Sequence, residues 1–156
     1  MNIKTKFAFL PIIICFIVTM SAFGIFFLTL SSSKPDILGP MFFLIVAIYL
    51  WLTEFRTRAH KIEILNDKVI VREYFGLGKQ KIFELKNLEG FNLSIQPSKS
   101  GPYEYIFIIQ QGKRIGSISE FYHRNYGEMK TAIEERVKNL GLIEYRFKSE
   151  LREMFK

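Results

Sequence analysis

From Phe7 to Leu30 the chain carries no charged residue, and a second uncharged run, Ile37–Thr53, follows the short polar stretch Ser31-Ser32-Ser33-Lys34-Pro35-Asp36. At about 1.5 Å of rise per residue, the first run outreaches a hydrocarbon core of about 30 Å. The second reaches about 25 Å by the same geometry. Tyr49 and Trp51 stand near its end, where interfacial aromatics make up such a shortfall. The pattern predicts a transmembrane helical hairpin over residues 1–53, with spans at 7–30 and 37–53, joined to a water-soluble domain over 54–141 and a tail over 142–156.

Past Glu54 the period drops to two. His60–Leu65 sets Ile62 and Ile64 on one face, Asn66-Asp67 supplies a turn, and Lys68–Tyr74 sets Val69 and Val71 together. Further strands are expected at Gln80–Leu85, Phe91–Gln96, Tyr103–Gln110 and Lys113–Ser119, joined by loops rich in glycine and proline. Tyr103–Gln110, apolar on both faces, is expected to be the central strand. Short connections argue for an antiparallel meander. The period then lengthens again. Asn125, with Glu128 three residues on, resembles a capping box, and Tyr126, Met129, Ile133, Val137 and Leu140 recur at helical spacing up to Gly141. The expected fold class is a membrane α-hairpin plus an α+β, mainly β domain: an antiparallel bent sheet or barrel capped by one C-terminal amphipathic helix. In the tail, Ile143, Phe147, Leu151 and Phe155 form a second helical stripe. It can pack on the domain or on a second copy, or lie on the inner leaflet.

Charge adds a direction. Of the net +7, Lys4, Lys6 and Lys34 against Asp36 give residues 1–53 a charge of +2, which leaves +5 for the rest. Lys4 and Lys6 precede the first run, whereas Arg56, Arg58 and Lys61 follow the second, with a nearly neutral connection between the two runs. The positive-inside rule therefore places both termini in the cytoplasm, in a multi-pass protein of the cell (inner) membrane. A cleaved signal peptide ending near Ser21-Ala22 fits less well, because the apolar run continues through Phe23–Leu30. Cys15, the single cysteine, lies inside the first run, which excludes a disulfide framework or a cysteine metal site.

Two N-terminal spans, a meander carrying Ile62-x-Ile64, Asn66-Asp67, Val69-Ile70-Val71, Gly76-x-Gly78 and Ile82-x-x-Leu85, and the helix entry Ile118–Tyr126 together resemble the bacterial pleckstrin-homology-like (PH-like) membrane proteins. The resemblance covers about residues 7–140 and implies a seventh strand, sought in Phe55–Ala59 or Glu120–His123. It does not carry over phosphoinositide binding, since the connection between the first two strands is only the short, acidic Asn66-Asp67.

Reactive groups are sparse. His60 and His123 lack partners at metal-ligand spacing, and Gly76-Leu77-Gly78-Lys79 lacks the rest of a phosphate loop. No catalytic, cofactor or metal residues are assigned, and the scattered basic residues do not form a nucleic-acid stripe. Candidate membrane-interface residues are Arg56, Arg58, Lys61, Tyr49 and Trp51. Lys79, Lys81, Lys113 and Arg114 are candidates for headgroup or partner contact, or for protection of strand edges. The expectation is a non-enzymatic binding or scaffold module at the cytoplasmic face, contacting the bilayer and a protein partner or a second copy. The alternatives are an immunity-type or stress-protective protein that neutralises a toxin, and a lipid-acting enzyme using Glu120, Tyr122 and His123.

Overall fold

The structure, a computed structural model, describes residues 2–32, 37–98, 101–144 and 152. Helix α1 spans Phe9–Leu30. Helix α2 spans Leu38–Arg58: α-helical over Leu38–Leu50, widened to a π-helical segment over Trp51–Phe55, and α-helical again over Arg56–Arg58. Both are long and apolar enough to cross a membrane. Their large side chains, Phe9, Leu28, Leu38 and Phe42 among them, point outward and are exposed, a surface that water would penalise and lipid would not. The second helix thus runs past the expected end at Thr53 and into the domain. Threonines mark the widening, with Thr53 Oγ1 donating to Tyr49 O and Thr57 Oγ1 to Thr53 O, each at 2.7 Å. Such back-bonding to the preceding turn loosens the helix locally.

The domain is built from two four-stranded sheets. In the first, β1 (Ile3–Lys4), β2 (Lys61–Ile64), β3 (Lys68–Arg72) and β4 (Gln80–Glu84) are antiparallel neighbours in that order. The second has the order β7-β6-β5-β8, from β5 (Gly90–Gln96), β6 (Tyr103–Gln110), β7 (Lys113–Ser119) and β8 (Asn139–Leu142). Helix α3 (Tyr126–Glu134) packs with them. Alternation explains the core: Ile62, Ile64, Val69 and Val71 from the first sheet meet Phe91, Ile106, Ile108 and Ile118 from the second, with Tyr126, Met129 and Ile133 of α3. Tyr105–Ile108 is buried on both faces, as expected of a strand interior to its sheet.

Of the two expected forms, bent sheet or barrel, the sheets take the open one. Three other expectations are corrected. The strand sought in Phe55–Ala59 or Glu120–His123 lies in neither: 55–58 is helical, and 120–123 is a turn making one bridge, His123 with Phe7. The additional strands are β1, at the N-terminus, and β8. Helix α3 ends at Glu134 rather than running on to Gly141, so Leu140 sits on exposed β8. The boundary at 141/142 falls inside that strand, which runs parallel to β5, and Ile143 N–H donates to Leu93 O at 2.8 Å. The stripe at Phe147, Leu151 and Phe155 lies outside the described residues.

Gly90 makes the β8 docking possible. At φ +155° it approaches Lys138 so closely that a Cβ would stand 2.4 Å from Lys138 O and 2.5 Å from Leu140 Cγ. Only glycine fits there.

Candidate functional site at the joint of hairpin and domain

Both ends of the hairpin are hydrogen-bonded into the domain. On the N-terminal side, Ile3 and Lys4 pair with Ile64 and Glu63, and Thr5 bonds Ile62 twice: its N–H to Ile62 O at 2.8 Å, and its hydroxyl accepting Ile62 N–H at 2.9 Å. Asn125 then reads the backbone of this strand. Its Oδ1 accepts Lys6 N–H at 2.7 Å and its Nδ2 donates to Lys4 O at 3.0 Å. The residue expected to cap α3 makes no side-chain cap to that helix. Arg124 N–H to Lys6 O and Ala8 N–H to Tyr122 O complete the attachment. The N-terminus and the domain therefore lie at the same end of the hairpin. The alternation Ile3, Thr5, Phe7 against Lys4, Lys6 was the available sequence signal, masked by its reading as topological charge.

On the other side, the last turns of α2 carry Glu54 and Arg58 into the domain. Arg58 Nη1 lies 3.2 Å from Glu54 Oε1, with 11% and 29% of the two side chains exposed. The same carboxylate oxygen accepts the Tyr122 hydroxyl at 3.1 Å. The Arg58 guanidinium also lies over the Tyr105 ring, 5.4 Å from its centroid, and Arg114 covers Phe107, next on the same face of β6, at 3.4 Å. Burial, reinforced by the Glu54 charge, pushes the Tyr122 phenol well up, and burial raises Tyr105. Both remain neutral at physiological pH.

The two histidines, distant in sequence, meet here. Ser117 N–H donates to His60 Nδ1 at 3.0 Å, Ser119 N–H donates to His123 Nδ1 at 3.1 Å, and His123 Nε2 lies 2.8 Å from His60 O. A backbone amide can only donate, so each Nδ1 must accept and each neutral ring carries its proton on Nε2. Burial first, then the charges of His123, Lys81 and Arg114, lowers His60 to about 3; burial lowers His123 to about 4. Two imidazoles thus stand where a neighbouring strand would satisfy alternate amides on the edge of β7.

The residues expected to form an enzyme-like cluster diverge. Tyr122 goes to Glu54, His123 to His60, and Glu120 Oε2 accepts Glu104 N–H at 2.9 Å. Glu104 in turn binds the Tyr126 hydroxyl and Lys130 Nζ, each at 2.8 Å. Among the described residues there is no group of three or more His, Cys, Asp or Glu placed to hold a metal.

The candidate interface residues separate similarly. Tyr49 is exposed on α2, Arg56 and Lys61 are half-buried at the joint, and Arg58 turns inward rather than toward headgroups. Trp51 also turns inward, its Nε1–H donating to Thr19 Oγ1 of α1 at 3.0 Å and its ring packing on Phe55 and Tyr74. Lys79, Lys81 and Lys113 are exposed, and Lys81 pairs with Glu73 at 2.6 Å. Lys81 and Arg114, on different sheets, both bear electrostatically on His60.

Comparison with protein-family models, with curated proteins and with solved structures finds no match.

Proposed function

We propose that this chain is a membrane-anchored, non-enzymatic docking module, its PH-like domain held at a fixed attitude against the cytoplasmic face of the membrane and binding a protein partner or a second copy of itself. The observation that carries this reading is the double attachment of the hairpin: β1 and Asn125 on one side, Glu54, Arg58 and Tyr122 on the other. A flexible tether would serve a module that searches for distant ligands. A rigid mount serves one that presents a surface at set height and orientation to another membrane-held component.

The antiparallel succession β2–β3–β4, then β5–β6–β7, then α3, supports the PH-like reading. Lys4, Lys6, Arg56 and Lys61, all at the domain end of the hairpin, support the cytoplasmic orientation. The divergence of Glu120, Tyr122 and His123 into separate networks supports a non-catalytic role.

Crosslinking in native membranes followed by purification in mild detergent tests the proposal. A stoichiometric partner or a defined homo-oligomer is the expected product. Recovery as a partnerless monomer throughout would overturn it.

A further inference from the structure

The loop between β3 and β4 sits at the feet of both helices. Tyr74 faces the Trp51 ring of α2 at 6.0 Å, and Phe75 packs against Phe55 of α2 at 5.5 Å and against Phe7, just before α1, at 5.2 Å. Phe75 N–H is fixed to Ala59 O at 2.7 Å. Tyr74 and Phe75 adopt φ of 52° and 56°, a left-handed conformation that aromatic residues seldom take. The loop is bent to seat these two rings under the hairpin, and the bend delivers Leu77 outward, 81% exposed. Exposed Lys79 follows, and the Lys61 stem lies so close to Gly76 that a Cβ there would stand 2.8 Å from Lys61 Cδ.

We propose that this loop is a third point of membrane contact, with Leu77 entering the headgroup layer of an anionic leaflet and Lys61 and Lys79 facing its phosphates. The inference rests on the membrane-anchoring part of the function proposed above. An exposed leucine beside interfacial aromatics is unfavourable in water and favourable at the headgroup boundary. Flanking lysines add attraction to anionic lipid. The nearby acid, Glu73, is neutralised by Lys81. The contact of Tyr74 with Trp51, next to the outward, 53% exposed Leu52 of the membrane-spanning α2, favours lipid over a protein partner as the occupant.

Single-cysteine variants of the full chain in a Cys15→Ser background, labelled with an environment-sensitive fluorophore and reconstituted in phosphatidylglycerol–phosphatidylethanolamine vesicles, test this. Lipids spin-labelled at the headgroup should quench most emission from Leu77→Cys and little from Asp67→Cys, at the other end of the β2–β3 hairpin. Acyl-chain spin labels should quench Leu28→Cys in α1. Adding Lys61→Glu with Lys79→Glu should reduce quenching at position 77 to the level found in phosphatidylcholine vesicles. If position 28 is quenched but position 77 is not, the third contact is wrong while the anchoring stands. If position 28 also escapes, anchoring fails and this inference with it. A label at 77 shielded from water yet unquenched by lipid means a protein surface covers the loop, which overturns the proposal. Equal quenching at 77 in anionic and neutral vesicles overturns the preference for an anionic leaflet.

Discussion

His123 donates its Nε2–H to the backbone carbonyl of His60, 2.8 Å away, and the two rings each accept an amide N–H from β7 through Nδ1. All the ring nitrogens in these bonds have their roles fixed by backbone partners. Protonation of either ring would set Nδ1–H against a backbone N–H. The pair therefore acts as a piece of hydrogen-bonding edge whose integrity depends on both rings staying neutral.

Stability should consequently fall in acid. In the unfolded chain each imidazole titrates near 6.5, and in the fold His60 and His123 titrate at about 3 and about 4. Between those values the unfolded state binds more protons, so the contribution is complete above 6.5 and is lost as pH falls toward 4 and 3. At pH 5 each histidine should cost roughly 2 kcal/mol relative to neutral pH. Thermal unfolding followed by circular dichroism in detergent, from pH 7.5 down to 5, should show a falling midpoint. A flat profile would contradict the buried, neutral pair.

Asn125→Leu should release the N-terminal strand. The change removes the acceptor for Lys6 N–H and the donor to Lys4 O, both part-buried, at a cost of about 1 kcal/mol each. Hydrogen exchange should accelerate at residues 3–6. Glu128→Gln, at the position read from sequence as the capping partner, should leave these amides protected.

Gly90→Ala should dislodge β8 while sparing the rest of the sheet. The added methyl meets the Lys138 carbonyl and the Leu140 side chain, and backbone there cannot yield cheaply. Exchange protection at Ile143, whose amide bonds Leu93 O, should be lost, whereas the β5–β6 pairing should persist.

The Trp51–Thr19 bond should couple the helices measurably. In a double-mutant cycle of Trp51→Phe and Thr19→Val, which retains the aromatic contacts with Phe55 and Tyr74, the interaction should be about 0.6 kcal/mol, as is typical between helices in lipid. Reversible unfolding in mixed micelles would read it. Strict additivity would show that the indole N–H contributes nothing to helix association.

The parts of this molecule that announced themselves in sequence are those dictated by local periodicity. The uncharged runs produced α1 and α2, and alternation placed Ile62, Ile64, Val69, Val71 and the central β6. Where periodicity was ambiguous, the reading went astray. Val137 and Leu140 continue the spacing of Met129 and Ile133, yet the chain leaves the helix because Gly90 opens a place beside β5, a long-range fact that no local pattern contains. The joint was hidden for a similar reason. His60 and His123, Glu54 and Tyr122, and Lys4 and Asn125 become neighbours only once the sheets are assembled. The charges of Glu54 and Arg58 look solvent-directed in sequence, but half-buried Glu54 supplies the counter-charge that buried Arg58 needs.

The pairing of β1 with β2 also sets an order of assembly. Thr5 cannot meet Ile62 until both helices have been synthesised, nor Lys4 meet Asn125 until most of the domain has followed. Residues 3–6, made before both helices, are thus among the last to reach their places, and they do so from the domain end of the hairpin. Seating that strand closes the chain into a ring of structure, so a completed domain reports that both helices have already been laid down.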